Sequence, residues 1–118
     1  MNITIKATNI ELAETIRDYA TRKIESLEKI IKNNEAMVAI EVGKISNHHK
    51  TGIIYRAEVT VSSNGKHFRA VSAQEDIYTA IDDVRDELQR EMTSRKDKTM
   101  RLFKKGAKKV KEMVRFWK

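Results

Sequence analysis

The 118 residues include 24 Lys and Arg, 17 Asp and Glu, 40% hydrophobic residues and no cysteine or proline, which bounds the chain to one domain with a modest core plus at most an extension. The cysteine count excludes a disulfide framework, a thiolate nucleophile and a cysteine-ligated metal. No apolar run approaches the roughly 20 residues of a membrane span, and Asn2, Thr4 and Lys6 interrupt the first apolar positions, so neither a span nor a signal peptide is expected and the cytoplasm is the expected compartment.

The net charge of +7 is unevenly placed: Arg95 to Lys118 hold 11 basic and 2 acidic residues, whereas residues 1–94 hold 13 basic and 15 acidic ones. A near-neutral body with a cationic end points to a polyanionic partner, either nucleic acid or an anionic membrane surface.

Residues 2–7 alternate, with Ile3 and Ile5 on one side, the period of a half-buried first strand. Thr8 and Glu11 have capping-box spacing, and Ala13, Ile16, Ala20, Ile24, Leu27 and Ile31 then recur at steps of three and four, which predicts one long amphipathic helix ending near Asn33 and Asn34. Val38, Ile40 and Val42 give a second strand, and Tyr55, Ala57, Val59 and Val61 a third, with a polar loop from Ser46 to Gly52 between them. Asn64-Gly65 suits a type I′ turn, so Lys66 to Val71 is expected to pair antiparallel with the third strand. Ser72 and Glu75 offer a second capping box, ahead of a helix whose stripe is Ile77, Ile81, Val84, Leu88 and Met92.

This order predicts an α+β fold, β-α-β-β-β-α: a four-stranded sheet with two helices on one face, plus a basic C-terminal amphipathic helix. The single crossover would make the first two strands parallel neighbours. The uncovered face would display Thr4, Lys6, Glu41, Arg56, Glu58, Thr60, His67 and Arg69.

Residues for catalysis are few. The four glycines are far apart, which excludes a phosphate-cradling loop, and no zinc-ligand spacing is present. His48 and His49 read as solvated loop residues, and His67 as a surface residue of a strand. Asp82 and Asp86 share a helix face, but Arg85 and Arg90 interleave with that acidic run, the pattern of a solvated face laced with ion pairs. No enzyme, cofactor, metal or small-molecule substrate is expected.

In the tail Phe103, Ala107, Val110, Val114 and Trp117 recur at steps of four, three, four and three among lysines and arginines, the signature of a basic amphipathic helix. Docking on the body, binding RNA and lying on a membrane all fit that pattern.

Two stretches carry a resemblance. Asn9-Ile10-Glu11-Leu12, running into Ile16-Arg17-Asp18-Tyr19 and Leu27-Glu28-Lys29, resembles the first helix of the ribosome hibernation-promoting factor and ribosome-associated inhibitor family. Glu75-Asp76-Ile77-Tyr78-Thr79-Ala80-Ile81-Asp82 resembles that family's signature at the start of its second helix. With Gly65 and Arg69-Ala70, the resemblance spans residues 1–98 and leaves 99–118 as an extension. It implies the same strand and helix order, and a short-form translation inhibitor that occupies the mRNA and tRNA channel of the small ribosomal subunit, contacts 16S rRNA and silences idle ribosomes. A monomer away from the ribosome, without a membrane partner, is expected. Where the family often has basic residues this chain has Ser26, Glu87, Thr93 and Ser94, and Arg90, Arg95, Lys96 and Lys98 are the cations available to compensate.

The expected rRNA contacts in the body are Lys6, Arg17, Arg22, Lys23, Lys29, Arg56, Arg69 and Arg90, cations on polar helix sides or on the uncovered sheet face. Those in the tail are Arg95, Lys96, Lys98, Arg101, Lys104, Lys105, Lys108 and Lys109. Tyr55 and Phe68 fall on the core-facing register, so phosphate and shape readout is expected rather than base stacking on the sheet. The competing reading is a membrane-surface or protein-docking adaptor that uses the apolar stripe of the tail.

Overall fold

The computed structural model describes residues 1–47 and 52–93. The elements are β1 (Asn2–Thr8), α1 (Glu14–Glu25), α2 (Glu28–Ile31), β2 (Met37–Asn47), β3 (Gly52–Ser63), β4 (Lys66–Gln74) and α3 (Ile77–Thr93). His48, His49 and the tail cations from Arg95 to Lys109 lie outside the described residues, as does the expected C-terminal helix.

The sheet order is β1-β2-β3-β4. β1 runs parallel to β2, and β2, β3 and β4 form an antiparallel meander. Ile3, Ile5 and Ala7 pair in register with Val38, Ile40 and Val42, which continue across Val61, Val59 and Ala57 to Phe68, Ala70 and Ser72. These side chains have one parity, so they share one face. Ala20, Ile24 and Leu27 and the α3 stripe of Ile77, Ala80, Ile81, Val84 and Leu88 close over them in a single core. Tyr55 and Phe68 pack against that core, as their register requires.

Asn64 and Gly65 both take positive φ, 53° and 76°, and Ser63 pairs with Lys66 across them, which is the tight hairpin anticipated from this dipeptide. The other hairpin differs from expectation. β2 and β3 remain paired to Asn47↔Gly52, so both strands run further than the alternation implied. β1 stops opposite Gly43 and β4 opposite Tyr55, leaving the far end of this hairpin as a two-stranded ribbon.

Three local expectations are corrected. The first helix is broken: α1 ends at Glu25 with Ser26 as its C-cap, and α2 follows as a single turn closed by Lys32 at φ 51°, rather than by Asn33 or Asn34. Thr8 caps no helix, because it is the last residue of β1 and its hydroxyl donates to Glu41 Oε2 at 3.0 Å. Ser72 caps none either: β4 continues to Gln74, and the buried Ser72 donates to Asp83 Oδ2 on α3 at 2.8 Å. The cap of α3 is Asp76, whose carboxylate accepts the Thr79 backbone N–H at 3.1 Å and the Thr79 hydroxyl at 2.9 Å. Asp76 thus satisfies a donor left unpaired by helix geometry.

Candidate nucleic-acid interface

The fold presents cations on two surfaces: the open sheet face, and the side of the helical layer where α1 meets α3.

On the sheet, register sets Lys6, Glu41 and Glu58 in one row across β1, β2 and β3. Two glutamates directly opposite each other repel, and each has a neighbour that offsets this. Glu58 accepts from Arg56 Nη2 and from Arg69 Nε, both at 2.5 Å. Glu41 takes the Thr8 hydroxyl and lies beside Lys6. Burial by itself would raise the Glu58 carboxyl, but the two guanidiniums outweigh it and hold the group below its ordinary value of 4.5. Arg56 and Arg69 are therefore committed to an internal carboxylate, whereas Lys6 is exposed with no ion pair among the described residues.

Between the helices a polar network crosses the seam. Tyr19 on α1 donates its phenol to Asp82 Oδ1 on α3 at 2.6 Å, and its ring meets Tyr78 edge-on, with centroids 4.9 Å apart. Lys23 pairs with Asp82 at 3.2 Å and lies over the Tyr19 ring. The hydrogen bond to Asp82, then burial and the charge of that carboxylate, raise the Tyr19 phenol above 10.0. The same carboxylate raises the Lys23 ammonium. Asp82 is thus occupied by two partners from α1. The expected ion-pair lacing of the acidic run is present, with Arg90 on Glu87 at 2.6 Å and Arg85 near Asp86 at 3.4 Å.

Arg17, Arg22 and Lys29 are exposed and have no ion pair among the described residues. Arg17 and Arg22 line one shallow cleft with Asp18 and Thr21. Arg22 also lines a second, with Tyr19, Lys23, Ser26, Arg85 and Asp86. The helical layer therefore gathers Arg17, Arg22 and Lys23 on one side, with Arg85 added from α3. Arg85 is absent from the expected contacts, because spacing along α3 showed its acidic neighbours but not the α1 residues across the seam. Guanidinium and ammonium groups gathered on shallow relief suit phosphate oxygens. Among the described residues no group of three or more His, Cys, Asp or Glu is placed to hold a metal.

The family model described as Sigma 54 modulation protein / S30EA ribosomal protein matches residues 3–100. The chain is 30% identical over 99 residues to the ribosome hibernation promoting factor of Escherichia coli (strain K12), a match covering 83% of this chain and 96% of that relative. It is 32% identical over 98 residues to the ribosome hibernation promotion factor of Picosynechococcus sp., covering 83% of this chain and 50% of the relative. Among solved structures, the N-terminal domain of Thermus thermophilus Protein Y superposes with a TM-score of 0.66 at 27% identity, over 78% of this chain and 96% of that one.

Proposed function

This chain belongs to the Sigma 54 modulation protein / S30EA ribosomal protein family, and from that premise we propose that it is a ribosome-binding hibernation factor that regulates translation without catalysis. The observation that carries the reading is the match across the whole body to a hibernation promoting factor of almost the same span. In this reading the protein binds the small subunit in the channel used by mRNA and tRNA, and contacts 16S rRNA mainly through phosphates.

The contact surface is the α1 side of the helical layer. Arg17 and Arg22 are the leading ligands, since both are exposed and line one cleft without an ion pair among the described residues. Lys29, Lys23 and Arg90 add positive field, the last two at the expense of existing pairs. On the sheet, Lys6 is the accessible cation, while Arg56 and Arg69 would have to leave Glu58 to reach RNA. Residues 1–98 act as the ribosome-binding domain, and the cations of the extension from 99 onward serve as an electrostatic anchor.

Competition tests the channel assignment. Purified 30S subunits preloaded with a short mRNA and initiator tRNA should bind the protein more weakly than empty subunits, and excess protein should lower tRNA occupancy. Equal affinity for loaded and empty subunits would reject the channel as the site.

A further inference from the structure

We infer that Arg85 is a pre-set ligand for an RNA phosphodiester at the seam between α1 and α3, and that Ser26 is the residue that positions it. The inference rests on the proposed binding to ribosomal RNA, and it adds a contact that lies hidden inside an acidic run of sequence.

The side chain of Arg85 crosses from α3 to the end of α1, where its Nε donates to Ser26 Oγ at 2.8 Å. The Ser26 hydroxyl proton is directed to the Lys23 carbonyl at 2.5 Å, so the oxygen is left to accept from Arg85. One terminal nitrogen of the guanidinium, Nη1, donates to Gln89 Oε1 and faces Asp86 Oδ1 at 3.4 Å. Together these contacts fix the plane of the fork. The other terminal nitrogen, Nη2, has no partner among the described residues, which leaves two N–H donors to spend.

Two further facts favour a ligand over a strut. The Arg85 side chain is 20% exposed, against 59% for Arg90 on the same helix, so its ordering is completed on folding rather than charged to binding. It also shares its cleft with Arg22 and Lys23. A phosphodiester carries one negative charge on two oxygens, which a guanidinium held in place reads in a fixed direction. The Asp86 carboxylate opposes the incoming charge. It is 60% exposed and, among the described residues, has only the long 3.4 Å contact to Arg85, so a phosphate displaces it into solvent.

The test measures binding of the full chain to purified 30S subunits and to protein-free 16S rRNA over a salt series. Arg85→Gln should weaken both by about 10-fold, the scale of one charge-assisted hydrogen bond, and reduce the magnitude of the salt slope by roughly 0.7 to 0.9. Ser26→Ala, which removes no charge, should weaken binding roughly 3-fold, the cost of ordering one arginine on association, with an unchanged slope. Asp86→Asn should tighten it. If Arg85→Gln lowers the melting temperature, Arg85→Lys and Ser26→Ala decide the question, because both keep the cation and each should still bind more weakly. Wild-type affinity for these variants, alongside a loss with Arg17→Glu/Arg22→Glu, would overturn the role of Arg85 and leave ribosome binding intact. Loss of 30S binding without any change toward naked rRNA would assign Arg85 to a ribosomal protein instead and equally overturn the inference. A wild-type chain that binds neither probe would reject the ribosomal reading itself.

Discussion

The Tyr19 phenol and the Asp82 carboxylate meet at 2.6 Å although 63 positions separate them in the chain. This bond, with Lys23 on the same carboxylate, ties α1 to α3 and sets the relative position of the cations on both helices. Tyr19→Phe should lower unfolding stability by about 1 kcal/mol, the usual net value of such a hydrogen bond, and urea denaturation measures it. Ribosome affinity should fall less than for Arg17→Glu/Arg22→Glu, because Lys23 still holds Asp82.

The cap of α3 gives a second prediction. Asp76 accepts the Thr79 N–H, and asparagine caps about as well as aspartate. Asp76→Asn should therefore be nearly neutral at high salt and lose a few tenths of a kcal/mol at low salt, where the helix dipole is less screened. Asp76→Ala should cost about 1 kcal/mol under both conditions. Thermal melts of the two variants at two salt concentrations separate capping from dipole.

Gly43 supplies a third. A Cβ built there would stand 3.0 Å from the Thr8 backbone oxygen and 3.4 Å from the Thr8 Cβ, so an alanine would require the end of β1 to give way by a few tenths of an ångström. Gly43→Ala should destabilise the fold by about 1 to 3 kcal/mol. Hydrogen exchange should show the loss first in the β1–β2 ladder. An alanine variant of wild-type stability would refute the close approach.

The pH dependence follows from Glu58. Its carboxyl is held below 4.5 in the folded chain, so the ion form is favoured by folding. That contribution is fully present above the unfolded value and is lost as pH falls through the lower folded value. Stability should therefore decline below about pH 4.5. In Glu58→Gln the slope of stability against pH in that acid range should be shallower, as followed by denaturant melts between neutral and acid pH.

Much of the architecture was legible because the hydrophobic periods are clean. Asn64-Gly65 dictated its own turn, and the stripe from Ile77 to Leu88 marked its helix. The capping motifs misled because a three-residue spacing is local, whereas Thr8 and Ser72 are claimed by β1 and β4, whose pairing is a tertiary fact. The break after Glu25 left no mark in the apolar spacing, since Ile24, Leu27 and Ile31 continue the stripe across it. For the site, cation identity was legible and cation availability was not. Arg56, Arg69 and Lys23 look equivalent to Arg17 and Arg22 in sequence, yet the first three are spent on Glu58 and Asp82. Arg85 was obscured for the converse reason, being surrounded by acids along α3 but directed at Ser26 across the seam.

The most direct measurement is sedimentation of the full chain through a sucrose gradient at low salt with purified 30S and 70S particles. Ribosome binding predicts that the protein travels with both particles, that raising the salt releases it, and that Arg17→Glu/Arg22→Glu releases it at lower salt than wild type. Wild-type protein remaining at the top of the gradient at low salt, in the presence of either particle, would contradict it.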